Sequence, residues 1–188
     1  MGTVIIETVV DPEEAAAVAA VAAETFPLAC PSHSTPENIA AHIAANLSTQ
    51  RFVEYIDDDD RDVIVARDDA GTVIGYALLV HRAPTDQDVN GALTSAGVDP
   101  ETAAEVSKMY VLPDHHASRG EAKPAHALMD AAIEAANARG AAYAWLGVND
   151  ENRRAQKYYR KMGFAQIGTK TFDMNGVVEH DHVMGRTV

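Results

Sequence analysis

A chain of 188 residues, 47% of them hydrophobic, carries enough apolar material for one domain with a sizeable core, which excludes an intrinsically disordered chain. The formal net charge of −13 works against nucleic acid, whose phosphates reward Lys and Arg; it suits a cationic partner such as an amine, and it also serves plain solubility. A single cysteine, Cys30 in "PLACPSHS", permits no intrachain disulfide and fits a reducing compartment. It reads as a small buried hydrophobe, although nearby His33 leaves reactivity open.

In chain order, "TVIIETVV" is β-branched and predicts a first strand. "DPEEAAAVAAVAAETF" predicts a helix, with Asp11 as cap, Pro12 at the first helical position and Glu13 and Glu14 in the first turn. These acidic residues, and a run "AAAVAAVAA" too short to span a bilayer, argue against a secretory leader or membrane span; a soluble cytoplasmic protein is expected. "STPENIAAHIAANL" repeats the grammar with Ser34 or Thr35 as cap, and "TQRFVEYI" continues it for another turn or two before "DDDDRD". "DVIVARDDAGTVIGYALLVHR" predicts a hairpin about "DDAG". Residues 83–100 carry no clear period and read as a long loop with room for one short helix.

"EVSKMYVL" reads as a strand, "PAHALMDAAIEAANARG" as a helix stopped by Gly140, and "AAYAWLGV" as a short buried strand. "NDENRRAQKYYRKMGF" reads as a capped helix ended by Gly163, and the chain closes in a hairpin about "MNG". This order, without repeat or linker, predicts one mixed α/β domain around a single sheet, residues 1–188.

Two segments carry chemistry. Between "VLP" and "PAHALM" a strand feeds a helix through a small-residue loop. Free N–H groups and the helix dipole make an anion site there, or the loop is only a connection. In "LGVNDENRRAQKYYRKMGF", Asn152, Ala155 and Tyr159 fall on one helix face, lining a groove or packing in the core.

The segment "NDENRRAQKYYRKMGF" resembles the C-terminal signature of the GNAT superfamily of acyl-CoA-dependent N-acyltransferases, in which an Asn, an Ala, an aromatic–Tyr pair and a Gly-Phe recur in this order. Asn152, Ala155, Tyr158–Tyr159 and Gly163–Phe164 match. "EVSKMYVLPDHH" is similar to the family's central strand, and the chain's ending looks most like bacterial members related to polyamine acetyltransferases. The resemblance spans nearly the whole chain. It implies a central mixed, mostly antiparallel sheet flanked by helices.

The resemblance also implies roles. Acetyl-CoA would lie as co-substrate in a gap between "EVSKMYVL" and "YAWLGV", on backbone groups of Met109 and Val111. Asn152 would hold its arm beside Ala155. Tyr159 would protonate the departing thiolate. Glu105 matches a position where some members carry the general base that frees an amine of its proton; the alternative is a solvated strand residue. The family's phosphate cradle, Gln/Arg-x-x-Gly-x-Gly/Ala, is altered here. His116 falls on its first position counted from the strand, while Lys123 and Ala125 fall on the glycine positions counted from the helix. About four extra residues lie between. Gly120 and Ala122 offer a substitute pair, and Arg119 and Lys123 can add charge.

The implied activity is acetyl transfer to a primary amine, a small amine or polyamine, by direct attack. The altered loop leaves a CoA-sensing module as an alternative, and peptide or protein N-terminal acetylation as another. Neither a nucleic acid nor a membrane is expected as partner, and pairing of relatives through sheet edges implies a homodimer. His115–His116 and His180–His182 read as surface histidines rather than metal ligands. "DDDD" reads as a solvated turn, or as a lure for cations together with Glu54.

Overall fold

The computed structural model describes residues 3–116 and 123–188. Among these residues seven strands form one sheet in the order β1-β2-β3-β4-β5-β7-β6: β1 Ile5–Thr8, β2 Arg61–Arg67, β3 Val73–Val80, β4 Ala103–Val111, β5 Tyr143–Asn149, β6 Ala165–Met174 and β7 Val177–Thr187. Every neighbouring pair is antiparallel except β4–β5. The mixed, mostly antiparallel sheet expected from the resemblance is what the chain builds.

Local chemistry starts each helix. Asp11 accepts from the Glu13 N–H and opens a 3-10 turn that leads into α1, Ala15–Ala29. Thr35 caps α2, Pro36–Asn46, by accepting from the Asn38 N–H. The following segment does not continue α2. Ser48 takes extended backbone, accepts from the Arg51 N–H and starts a separate helix, α3, Thr49–Asp57.

The stretch 83–100 holds the one short helix for which the sequence left room. Asp86 accepts from the N–H groups of Asp88 and Val89 and starts α4, Gln87–Ser95, whose Val89, Ala92 and Leu93 pack against Trp145 and Val183. Its apolar side is three residues long, too short to register as a period. The last two helices are α5, Pro124–Ala138, and α6, Arg153–Lys161. The β6–β7 turn falls on Asn175 and Gly176, with φ of 55° and 86°, the left-handed pair that a tight hairpin requires.

Helices α1, α2, α3 and α4 cover one face of the sheet, α5 and α6 the other. On the first face Phe52 is fully buried, edge-on to Tyr55 and Tyr76 at 5.5 and 5.4 Å. On the second, Leu128, Ala132 and Ala136 of α5 recur at helical spacing against Ile64, Ile74 and Leu79. Each large side chain so buried contributes about 1.5–3 kcal/mol.

Candidate active site

The one parallel pair is short. Ala103, Ala104 and Glu105 pair with Tyr143, Ala144 and Trp145, and the β4–β5 ladder ends there. The strands separate beyond Glu105, and β5 takes its remaining partners from β7. A cavity of about 890 Å³ opens along this gap, lined by β4 and β5 and by parts of α1, α5, α6, β6 and β7. On the far side of β4, the Leu112 N–H bonds the Ile74 carbonyl at 2.8 Å. Alternation along that antiparallel ladder turns the backbone groups of Met109 and Val111 away from β3, into the gap.

A bulge in β4 decides which side chains meet. Leu78 lies opposite Lys108, but Leu79 lies opposite Val106, so Ser107 is an extra residue. In an unbroken strand residues 105 and 108 would point to opposite faces. The inserted residue brings them to the same one. Lys108 reaches over the Tyr55 ring at 5.9 Å, and the Tyr110 ring lies 6.0 Å from that of Tyr76, both on the α1–α3 face. Val106, Met109 and Val111 pack instead toward α5 and α6.

On the α5–α6 side, Tyr158 and Tyr159 divide their duties. The Tyr158 hydroxyl donates to the Ala125 carbonyl at 2.8 Å and ties α6 to the first turn of α5. The Tyr159 hydroxyl has no hydrogen-bond partner among the described residues, and Tyr159 lines the cavity. Its ring packs edge-on to Tyr158 and Phe164, and burial pushes its pKa up to about 12, so it stays protonated at neutral pH.

Asn152 stands at the N-cap of α6 and not on its face. Its side-chain oxygen accepts from the Ala155 N–H at 3.1 Å. The expected groove of three residues is therefore Ala155 and Tyr159 on the helix, with the Asn152 amide at its mouth. An Asn directly before a helix is favoured as its cap, which is the physical reason for the difference.

At the wide end of the gap, the His116 Nε2–H donates to the Val111 carbonyl at 2.5 Å and its Nδ1 accepts from the Arg154 guanidinium at 3.0 Å. The Val111 carbonyl is thereby taken, and its N–H and both groups of Met109 remain. Lys123 and Ala125 line the cavity where α5 begins. Pro124 brings no N–H to this helix end; Ala125 and His126 do. Arg119, Gly120 and Ala122 lie outside the described residues.

On the α1–α3 side, Glu105 is part-buried in the cavity wall rather than solvated. Burial raises its carboxyl above the ordinary range, against the pull of Lys108, Lys170 and Arg61. Burial lowers the Lys108 ammonium, with Arg61 adding to the effect and Glu105 opposing it. Lys170 pairs with Asp181 at 3.6 Å across Gly147, where a Cβ would come within 2.8 Å of the Lys170 side chain. Glu179, nearly fully buried, binds His33 at 2.6 Å.

Cys30 donates to the Phe26 carbonyl at 3.3 Å, and its pKa is pushed up to about 11 by burial and by Glu179, so it is not poised as a nucleophile. Among the described residues no cluster of His, Cys, Asp or Glu is arranged to hold a metal ion. No helix among them is long and apolar enough to cross a membrane. Sequence reasoning missed Lys108, Tyr110, Lys170 and Asp181, which meet only because of the bulge and the folding of the last hairpin onto β5.

The Acetyltransferase (GNAT) family model matches residues 23–164. An uncharacterized N-acetyltransferase of Mycobacterium tuberculosis (strain H37Rv) is 43% identical over 169 residues, 90% of this chain and 94% of that protein. A counterpart in Mycobacterium bovis matches equally. Among solved structures, the PaiA N-acetyltransferase of Thermoplasma acidophilum in complex with coenzyme A shares the fold with a TM-score of 0.72 at 19% identity, over 99% of both chains. The ribosomal-protein-S18-alanine N-acetyltransferase of Escherichia coli shares it with a TM-score of 0.64 at 17% identity, over 100% of this chain and 94% of that one. With its opened β4–β5 pair, its α6 signature and a family match over most of its length, the chain belongs to the GNAT family of acyl-CoA-dependent N-acetyltransferases.

Proposed function

We propose that this chain, acting as a single catalytic domain over residues 1–188, moves acetyl from acetyl-CoA to a small primary amine by direct attack in a ternary complex. The observation that carries the reading is one cavity faced from one side by the Glu105 carboxyl and from the other by the Tyr159 phenol, neither of them hydrogen-bonded among the described residues. The coenzyme A complex of the PaiA relative supports the choice of co-substrate.

Free backbone groups of Met109 and Val111 hold the pantetheine arm, with the Asn152 amide opposite, and one β4 N–H polarises the thioester carbonyl. The phosphates lie at the start of α5, on the N–H groups of Ala125 and His126, with Lys123 and the His116–Arg154 pair beside them. An ammonium has no lone pair with which to attack, so Glu105 takes its proton. Nitrogen then bonds to the acetyl carbon, the C–S bond breaks, Tyr159 gives its proton to the thiolate, and the second proton shed by the acylated nitrogen restores the phenol. The phenol's high pKa keeps that proton in place until the thiolate forms. The same reading places the enzyme in the cytoplasm, where an unpaired Cys30 stays reduced.

The test is acetyl-CoA with a panel of small amines, polyamines, amino acids and short peptides, read by free-thiol release and by the mass of the product. Amine-dependent thiol release with an N-acetylated product supports the proposal. Binding of acetyl-CoA without thiol release from any amine refutes it and leaves the sensing module. Release only with peptides refutes the small-amine acceptor.

A further inference from the structure

The acceptor half of the cavity holds two ionisable side chains, Glu105 and Lys108, that make no direct ion pair among the described residues. Lys170 is matched by Asp181 at 3.6 Å. Glu179 is matched by His33 at 2.6 Å, with the Asn149 amide donating to its other oxygen at 3.4 Å. Glu105, by contrast, makes no hydrogen bond and no ion pair among the described residues. Among the described residues Lys108 reaches only the Ser107 hydroxyl at 3.5 Å and the face of the Tyr55 ring. No nitrogen–oxygen approach within 4.0 Å joins the two, so each feels the other's charge without a direct contact.

The bulge at Ser107 places both on one face of β4. Coenzyme A does not account for Lys108. The α5 N-terminus proposed for the phosphates lies past the far end of β4, whereas Lys108 points toward α1 and α3. A cavity wall that presents a carboxyl and a lysine side by side without a direct ion pair among the described residues is poorly matched to a polyamine, which brings several ammonium groups and no anion. It matches an acceptor that carries both signs. The neighbouring wall is aromatic: Phe26 stacks on His42 at 4.5 Å, and Phe172 meets His42 edge-on at 5.6 Å.

Resting on the transferase reading above, we infer that the acceptor is a zwitterionic amino compound of the amino-acid class, with its ammonium at Glu105, its carboxylate on Lys108, and an apolar or aromatic side chain against Phe26, His42 and Phe172. The reaction is then N-acetylation of that amino acid. The ammonium first passes one proton to Glu105; its nitrogen bonds to the acetyl carbon as the C–S bond breaks, Tyr159 supplies the proton of the released thiol, and the second proton shed by the nitrogen restores Tyr159. Lys108 takes no part in bond making; it sets which amine is presented.

The experiment compares apolar and aromatic L-amino acids with their amides, their decarboxylated amines and spermidine, by kcat/KM from thiol release. Phenylalanine, phenylalaninamide and phenethylamine form one such set. The wild-type enzyme is expected to prefer the free acid over its amide and its amine by about tenfold or more, the scale of one charge-assisted contact. In Lys108→Met that ratio is expected to fall about tenfold or more. Wild-type turnover of amides, plain amines or spermidine as good as that of the free acids overturns the inference and leaves the transferase standing. An unchanged ratio in Lys108→Met overturns it equally. No turnover of any amine removes the transferase reading and this inference together. Because the wild-type comparison needs no mutant, a variant that fails to fold does not decide the question.

Discussion

Replacing Glu105 by Gln keeps the size of the side chain and removes its basicity. Among the described residues Glu105 has no hydrogen-bond or ion-pair partner, so the change breaks no direct contact; Lys108 loses the charge that opposes the lowering of its ammonium, and the pH profile separates that from the lost base. A primary amine with the pKa of a lysine side chain, about 10.4, is neutral in only about 4 of 10,000 molecules at pH 7. Without Glu105 the reaction must wait for those molecules. The expected loss in kcat/KM at pH 7 is about 10²–10⁴-fold, or about 3–5 kcal/mol of transition-state stabilisation. The pH profile separates this from a mere change of shape. With Glu105 ionised, the wild type can use the abundant ammonium form, so kcat/KM should run flat from the raised Glu105 pKa up to the pKa of the amine. In Glu105→Gln it should instead climb with unit slope through that whole interval. Thiol release followed from pH 5 to 9 reads both curves. Parallel profiles of similar height would refute the assignment of Glu105 as base.

Glu105→Gln also carries a stability signature. A carboxyl whose pKa is raised in the fold disfavours the folded state once it ionises. The variant should therefore melt higher than wild type at neutral pH, and the gain should vanish as pH falls below the unfolded value of about 4.5; calorimetric melting across pH shows either sign. Tyr159→Phe should cut kcat by about 10²-fold, with acetyl-CoA affinity nearly unchanged in calorimetry. Because the phenol's pKa is pushed up to about 12, any basic limb below pH 10 should survive that change. Gly75→Ala should cost about 1–3 kcal/mol, seen as a drop of about 2–4 °C in Tm per kcal/mol, because the new Cβ would meet the Tyr110 carbonyl and the Val111 side chain at 2.9 Å and push β4 from its place. His116→Ala should weaken acetyl-CoA binding several-fold in calorimetry by loosening the tie between the Val111 carbonyl and Arg154.

Local grammar made most of the fold readable. The Asp-Pro and Thr-Pro starts of the first two helices, the glycine stops at 140 and 163, and the "DDAG" and "MNG" turns all mark elements that the structure contains. The start of α3 was hidden because Ser48 sits inside a run that keeps helical spacing on both sides. Helix α4 was legible only as room for one short helix, its place hidden because its buried side is only Val89, Ala92 and Leu93. At the site, Tyr159 was legible through the family signature, and its distinction from Tyr158 was not. That distinction rests on a hydrogen bond to Ala125, 33 residues away in sequence. Glu105 was legible as a position, whereas its meeting with Lys108 and Tyr110 was not. Strict alternation along "EVSKMYVL" sets Glu105 against both, and only the extra residue in β4 reverses that. Long-range pairing with β3 sets the bulge, and no local pattern announces it.

The central claim is that the parting of β4 and β5 beyond Glu105 holds an acetylated coenzyme A. Titration calorimetry of the purified chain with acetyl-CoA, with free CoA alongside, tests it most directly. A saturable curve with one site per chain is expected for both ligands. Absence of binding up to millimolar acetyl-CoA would mean that the loop leading into α5 is only a connection and that the opened strands hold no cofactor.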